Sequence, residues 1–484
     1  MSGLNNQNPE AKAGPKPGLL WAVLCFLLPV GVILYGTVVV GVRPPVLPLL
    51  AAVALAGMMC LPIGYKWKDL QDGMLESLGR VQLAVAILVM VGMIISAWLA
   101  SGTIPAIIYW GLKLIAPEYF FASAFLLCAV ASVATGTSFG TMGTIGVALL
   151  GVGGVMGFSP AMTVGAIVSG AYFGDKMSPV SDSTNITATI CETPLFTHIS
   201  SMMWTTIPAA IVAFIGFIIL GSTHSVAGAG SMESLAGILS GLEKGFNLSP
   251  VAFIPPVLMI VLAYRRYPVL PVMGVCLASA LIIALVQGAP LDVLAKQLTT
   301  GFKASTESAQ LNKLLSRGGL MSVMPTILLL TSGMAFGGIL ERARVLEVLL
   351  DAMLHGSKSP VRLVAATLGS AYIILLGTGS QMLAAIIPGR AFLSEYDRQE
   401  LDRSVLSRTC EDAGTLGCPL VPWSVHAFYI MGVLGVSAFE FAPYALLNWV
   451  VPVFSILCAA TGFGMRRRDG SSVRAAAKLQ TENV

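Results

Sequence analysis

The run Gly170-Ala171-Tyr172-Phe173-Gly174-Asp175-Lys176-Met177-Ser178-Pro179-Val180-Ser181-Asp182-Ser183-Thr184-Asn185 breaks an otherwise apolar stretch with three ionisable side chains and five neutral oxygen donors. An ionisable group at membrane depth costs about 3 kcal/mol or more unless it faces a cavity or a partner, so Asp175, Lys176 and Asp182 are candidate functional groups. Pro179 removes a backbone donor and Gly174 permits unusual dihedrals; an unwound stretch here would free carbonyls to act as ligands. Ser178, Ser181, Ser183, Thr184 and Asn185 add neutral oxygens. One carboxylate with several neutral oxygens suits a small hard cation such as sodium, with Asp175, Asp182 and Asn185 as its foremost ligands. A carboxylate that holds a cation also carries a proton, because either species neutralises the same charge. Competition between the two at one site is a mechanism for exchange, with Asp175 and Asp182 as the proton-carrying acids. Lys176 could pair with either acid when the ion leaves, or snorkel to the interface. The plainer reading is a surface loop with solvated charges and a capping aspartate.

A second run, Leu406-Ser407-Arg408-Thr409-Cys410-Glu411-Asp412-Ala413-Gly414-Thr415-Leu416-Gly417-Cys418-Pro419, carries another carboxylate pair with Gly and Pro close behind. Two breaks facing each other would form one shared site at the bilayer midplane, with Glu411 or Asp412 completing it. The charged stretch from Arg390 to Arg408 also allows Glu411 and Asp412 to end a surface helix. Thr137 and Ser138 in TGTSFGTMGT, and Thr378 and Ser380 in GTGSQ, are secondary candidates that could also satisfy backbone groups freed at a turn. His198 and His426 border apolar spans and read as interfacial residues. There is no HExxH, GxxxxGK[ST], GxSxG or metal-spaced Cys/His cluster, so enzyme chemistry, an ATP-driven pump and a resident cofactor lack a motif. Transport would draw on an ion gradient, with sodium and protons as the transported species.

The elements that must position these groups follow from composition. Only 11% of the 484 residues are charged and 56% are hydrophobic, against about 25% charged in soluble domains. Apolar stretches near the 20 residues needed to cross a bilayer make this an all-α polytopic membrane protein whose partner is the lipid bilayer. They fall at 18–40, 46–64, 82–100, 119–157, 160–190 and 201–221, and again at 249–264, 268–287, 319–340, 360–389, 404–434 and 441–463. The same order in both halves suggests a duplication. Ile87 to Met93 resembles Ile327 to Met334, and Gly136-Thr137 matches Gly377-Thr378 at the same spacing, 241 residues, as Gly92 and Gly333.

If the fourth segment of each half enters the membrane, breaks at its Gly/Thr/Ser cluster and returns, each half crosses five times and the second is inverted. The expected fold is two inverted repeats, each of about five transmembrane helices plus a re-entrant hairpin, with discontinuous helices at the site. The expected organisation is a disordered tail at 1–17, a first repeat at 18–221, an external linker at 222–248, a second repeat at 249–463 and a basic tail at 464–484. This places Lys66, Lys68, Arg80, Arg265, Arg266, Arg342, Arg344, Arg390, Arg398, Arg403 and both termini in the cytoplasm, in agreement with the positive-inside rule. Lys296, Lys303, Lys313 and Arg317 are the misfit, and Leu298 to Arg317 is expected to lie flat as an amphipathic helix. The net charge of +4 gathers near Arg466, Arg467, Arg468, Arg474 and Lys478, so it describes a tail and no nucleic-acid surface. The eight cysteines, with no CxxC, read as core residues.

GAYFGDKMSPVSDSTN, followed by Pro194-Leu195-Phe196-Thr197-His198-Ile199 and Thr205-Thr206-Ile207-Pro208, resembles the signature region of the NhaC family of sodium/proton antiporters, within the ion transporter superfamily. The resemblance implies an inverted-repeat transporter in a prokaryotic cytoplasmic membrane that exchanges sodium for protons. By motif match it marks Asp175, Asp182, Ser183, Thr184 and Asn185 as cation-site positions. Some members exchange malate for lactate with sodium and protons, which leaves an organic-acid exchanger as the alternative. An anion site would want basic groups near the breaks, where the chain offers only Lys176 and Arg408, and the second half has no copy of SDSTN. Transporters of this plan often form homodimers, and a homodimer is a possible assembly that no segment here proves.

Overall fold

Continuous apolar composition, punctuated by Pro and Gly at segment ends, produces helices among the described residues. The computed structural model describes residues 14–42, 44–224, 239–265, 267–306, 311–312, 315–354, 359–469 and 471. The tail before Gly14, most of the central linker, Arg266, Lys313, Arg474 and Lys478 lie outside the described residues. Among the described residues nine helices are long and apolar enough to cross a membrane, or up to twelve if each bent pair is one span. The one strand-like pairing among them is an isolated bridge between Leu401 and Arg467.

The first half runs α1 (Leu19–Leu34), α2 (Val46–Cys60), α3 (Trp67–Gly79), α4 (Gln82–Ala100), α5 (Thr103–Leu114), α6 (Phe120–Thr135), α7 (Ser138–Thr141), α8 (Val147–Val155), α9 (Pro160–Met177), α10 (Asp182–Ile190) and α11 (Leu195–His224). After a short α12 (Leu239–Gly245), the second half runs α13 (Ile254–Tyr264), α14 (Val269–Val286), α15 (Leu291–Thr300), α16 (Leu320–Arg342), α17 (Val345–Leu354), α18 (Pro360–Thr378), α19 (Gln381–Ala391), α20 (Leu393–Arg398), α21 (Arg403–Gly417), α22 (Val425–Leu434), α23 (Ala438–Phe441) and α24 (Leu446–Thr461). Proline opens α9 and α18 at their first position, where its missing N–H leaves no unmet helical bond. One continuous apolar core joins both halves, and all eight cysteines are buried and unpaired within the fold.

Two features position the chemistry. The first is a helical hairpin in each half. Phe158, just after α8, stacks on Phe120 at 5.2 Å and lies 4.7 Å from Phe121, so the chain returns to the level at which α6 began. In the second half the Tyr396 hydroxyl, beyond α19, comes within 3.3 Å of Thr367 Oγ1 on α18. Gly136 and Gly379 end α6 and α18 in the left-handed region, at φ 69° and 64°, as glycine at a helix C-terminus does. The next residues cap the following helices: Thr137 Oγ1 accepts from the Gly140 amide at 3.3 Å and Ser380 Oγ from the Leu383 amide at 3.4 Å. The turn equivalent to Gly136-Thr137 is therefore Gly379-Ser380, two residues beyond the expected Gly377-Thr378. Gly377 sits inside α18, packed against Leu346, and lacks the positive φ that makes the turn.

The second feature is a broken span abutting each hairpin tip. Residues 178–181 separate α9 from α10, and a Cβ on Gly136 would lie 2.6 Å from Val180. A 3₁₀ turn at Cys418–Leu420 and a loop to Ser424 separate α21 from α22, bent by 45°, and the Val425 amide donates to the Gly379 carbonyl at 3.0 Å. Of the surface helix expected over Leu298 to Arg317, the first residues belong to α15, ended by Gly301 at φ 100°, and residues 301–306 are irregular, with the Phe302 amide bonded to the Arg317 carbonyl at 3.1 Å; residues 307–310, 313 and 314 lie outside the described residues.

Small residues let α6 and α9 approach closely. Ser132 Oγ donates to the Ala171 carbonyl at 2.6 Å, and a Cβ at Gly170 would fall 2.2 Å from the Phe125 carbonyl oxygen. Backbone cannot yield as a flexible side-chain end can, so Gly170→Ala is expected to destabilise the protein by about 1–3 kcal/mol through overpacking. A thermal melt of purified protein in detergent checks this, and an unchanged midpoint would contradict the packing described.

Candidate functional site

Asp175 lies in the last turn of α9 and is 7% exposed. Both of its oxygens are held: Ser138 Oγ, from the first hairpin tip, donates to Oδ2 at 2.7 Å, and Ser181 Oγ, at the start of α10, donates to Oδ1 at 2.7 Å. Ser183 Oγ stands 3.1 Å from Ser181 Oγ. The break is held by its own polar side chains. Thr184 Oγ1 donates to the carbonyls of Asp175 (3.2 Å) and Lys176 (3.0 Å), and Asn185 Nδ2 to those of Pro179 (2.9 Å) and Ser181 (2.8 Å). Ser178 Oγ donates to the Val133 carbonyl at 2.8 Å. Helix, hairpin tip and broken span thus meet at one buried carboxylate.

Asp182 opens α10 and is exposed to a cavity of about 1030 Å³. The cavity is bounded by the hairpin tips, the first break, the starts of α4 and α22, and α13 with the start of α14, and both Asp175 and Asp182 line it. Its one lysine or arginine among the described lining residues is Arg80, which is paired with Glu341 at 2.7 Å and Glu76 at 3.0 Å. The two expected acids therefore differ in setting, one buried and doubly bonded and one exposed to the cavity. Residue spacing does not distinguish them; the burial of α9 against α6 does.

The second-half acids are both fully buried in mid-helix. The surface-helix reading of Glu411 and Asp412 is overturned, because α21 continues to Gly417 and its break follows. Lys176, also fully buried, pairs with Asp412 instead of Asp175 or Asp182, and so ties the two halves together. Thr205 Oγ1 donates to Asp412 Oδ1 at 3.1 Å, while Oδ2 has no protein partner. Glu411 accepts from Thr187 Oγ1 at 2.8 Å and from the Thr415 hydroxyl, which itself accepts from Gln381 Nε2 at 2.9 Å. Neither acid lines the cavity.

The hairpin threonines serve the backbone. Thr378 Oγ1 donates to the Ile374 carbonyl at 2.7 Å and accepts from the Ser380 amide at 3.1 Å, while Thr137 caps α7. The histidines are not interfacial: His198 is fully buried with Nδ1 2.7 Å from Ser407 Oγ, and His426 Nδ1 meets the Tyr172 hydroxyl beside the cavity. Arg408 is buried and turned away from the cavity, donating to the Gly464 carbonyl at 3.0 Å. Sequence reasoning missed Thr187, Thr205, Thr415 and Gln381. Helical spacing offered a signal for two of them: Thr187 lies one turn beyond Ser183, and Thr415 one turn beyond Glu411.

The arrangement offers a small cation one desolvated carboxylate ringed by hydroxyls, and offers a proton the same carboxylate. The chain matches the model of the "Na+/H+ antiporter family" over residues 30–184 and 170–463. It is 35% identical over 428 residues to the Na(+)/H(+) antiporter NhaC of Alkalihalophilus pseudofirmus, covering 88% of this chain and 92% of that protein. It is 36% identical over 415 residues to the Na(+)/H(+) antiporter NhaC of Bacillus subtilis, covering 85% and 91%. It is 34% identical over 420 residues to the malate-2H(+)/Na(+)-lactate antiporter of Bacillus subtilis, covering 87% and 90%. With the signature run seated at the broken span, and relatives matched along most of their length, the chain belongs to the Na+/H+ antiporter family.

Proposed function

We propose that the protein exchanges sodium for protons across a prokaryotic cytoplasmic membrane by alternating access, with Asp175 as the carboxylate for which the two ions compete. The observation that carries this is the buried Asp175 at the junction of broken span, hairpin tip and cavity, with a hydroxyl on each of its oxygens that a cation could replace as partner. Asp182 and Asn185 attract and steady the ion from the cavity side. The two halves are inverted repeats, at 18–221 and 249–463, and the hairpins are re-entrant. Supporting this are the matched turns at Gly136 and Gly379 and the matched breaks that abut them. Arg80 at the cavity's edge, and exposed Arg265 near lining residues Tyr267 and Pro268, support a cytoplasmic open side by the positive-inside rule. The structure is then an inward-open state, with both termini inside.

A second reading, exchange of small organic acids, is favoured by the cavity's volume, which exceeds what an ion needs, and by the similarity to the malate/lactate antiporter. Against it, an organic anion would meet two aspartates and a single arginine already engaged by carboxylates. In proteoliposomes, an inward sodium gradient is expected to drive proton efflux at a rate unchanged by malate or lactate. Proton movement that requires an organic acid would replace the first reading with the second.

A further inference from the structure

Ser138 supplies one of the two hydroxyls on Asp175, yet it stands at a hairpin tip, in the first position of the four-residue α7, which a π turn follows at Met142–Gly146. So short a helix cannot hold itself in place, because helix formation is cooperative with a costly nucleus; its side chains must be fixed from outside. The hold comes from the other half of the chain. The Phe139 ring, next to Ser138, stacks on Tyr429 of α22 at 4.1 Å with an interplanar angle of 10°, and the Tyr429 hydroxyl donates to the Phe139 carbonyl at 2.7 Å. Gly143 makes room for this contact, since a Cβ there would fall 2.8 Å from the Tyr429 hydroxyl oxygen. His426, one turn earlier on the same face of α22, lies 4.6 Å from the Phe139 ring, and its Nδ1 meets the hydroxyl of Tyr172, one turn before Asp175 on α9. The base of α22 is fixed in turn to the second hairpin: the Val425 amide donates to the Gly379 carbonyl at 3.0 Å, and Trp423 Nε1 to the Leu376 carbonyl at 2.7 Å. One helix of the second half thus grips both Phe139 beside Ser138 and Tyr172 beside Asp175.

We propose that Phe139, His426 and Tyr429 form a clasp that fixes Ser138 Oγ against Asp175, and thereby sets the sodium affinity and the ion-size selectivity of the site. This rests on the exchange reading above. Of these four residues it is Ser138 that bonds the carboxylate, so the other three are positioning residues that act through it. Selection among cations of different size depends on the number of oxygen ligands and on how rigidly they are held. A tip free to drift would let the hydroxyl follow the ion and treat lithium, sodium and potassium more alike. The Tyr429 hydroxyl restrains the backbone next to Ser138 and the two rings restrain the Phe139 side chain, which leaves the serine oxygen one place to stand.

The test uses the full chain in proteoliposomes and ²²Na⁺/Na⁺ counterflow, which moves no net proton, read for its KM, its maximal rate and its inhibition by Li⁺ and K⁺. Tyr429→Phe keeps the stack and deletes only the hydroxyl on the Phe139 carbonyl; it is expected to raise the sodium KM by about fivefold, the scale of one net hydrogen bond, with the maximal rate little changed. Phe139→Leu removes both ring contacts and is expected to raise KM by about tenfold and to bring inhibition by Li⁺ and K⁺ closer to the affinity for sodium. Phe139→Tyr, which keeps the ring, is expected to restore KM and selectivity to near wild type. A double-mutant cycle shows whether the clasp works through the serine: Ser138→Ala raises KM by itself, and adding Tyr429→Phe raises it no further, because the oxygen to be positioned is gone. A KM unchanged in Tyr429→Phe and Phe139→Leu, a loss confined to the maximal rate, or effects of Ser138→Ala and Tyr429→Phe that simply add would overturn the clasp. A wild-type chain with no counterflow would overturn the exchange reading itself, so the two failures show in different samples.

Discussion

Asp175→Asn is expected to lower sodium-driven proton movement and ²²Na⁺ counterflow together, by about 100-fold or more, while Asp182→Asn lowers them by about fivefold or less. The difference follows from environment. Asp175 is almost fully desolvated, and withdrawing the charge that balances a buried cation costs about 3–5 kcal/mol, or about two to three and a half decades in affinity. The asparagine amide can neither bind a proton nor counter sodium's charge, so both ions lose their shared site. Asp182 faces the cavity, where a charge interaction in water is worth about 1 kcal/mol at most. The same two flux measurements on each variant, with correct insertion verified, decide the matter. Equal effects at the two positions would mean that burial does not separate their roles, and a fully active Asp175→Asn would remove Asp175 from the site.

The second large effect concerns Lys176 and Asp412. Replacing either by alanine strands the other charge where it is fully buried, at about 3–5 kcal/mol, whereas removing both together costs far less. Lys176→Ala and Asp412→Ala are each expected to lower yield and thermal midpoint sharply, and the double variant to recover most of that stability. Exchange is not expected to recover with it, because the double variant has lost the tie between α21 and the last turn of α9, where Asp175 stands. Melting midpoints and sodium-driven proton movement on the three variants form a double-mutant cycle. Recovery of both stability and exchange would make the pair a structural tie between the halves and nothing more.

Much of the architecture could be read from the chain before any coordinates. Long apolar runs ended by Pro and Gly put the spans in place because backbone groups in lipid can only be satisfied within a helix. The break after Met177 was legible because Pro179 and a crowd of hydroxyl residues sit where a lipid-facing helix would carry neither. The match expected between the two hairpin turns was misaligned by two residues: two Gly-Thr pairs look alike in sequence, and only the positive φ at Gly379 identifies the residue that turns the chain. The acids of the second half were legible as candidates but their place was left open, since a charged prelude from Arg390 to Arg408 fits a surface helix as well as a buried one.

The sequence by itself determined the class of protein, the location of the two polar breaks and the short set of acids, because charged residues inside apolar runs stand out before their partners are known. Tertiary structure decided what each acid does. Ser138 reaches Asp175, Lys176 reaches Asp412 and Thr187 reaches Glu411 across gaps of 37, 236 and 224 residues. Such pairings depend on how hairpins and broken spans rotate and pack against one another. Local propensity carries no information at that range; the close approach of α6 to α9 and the contact of α10 with α21 supply it.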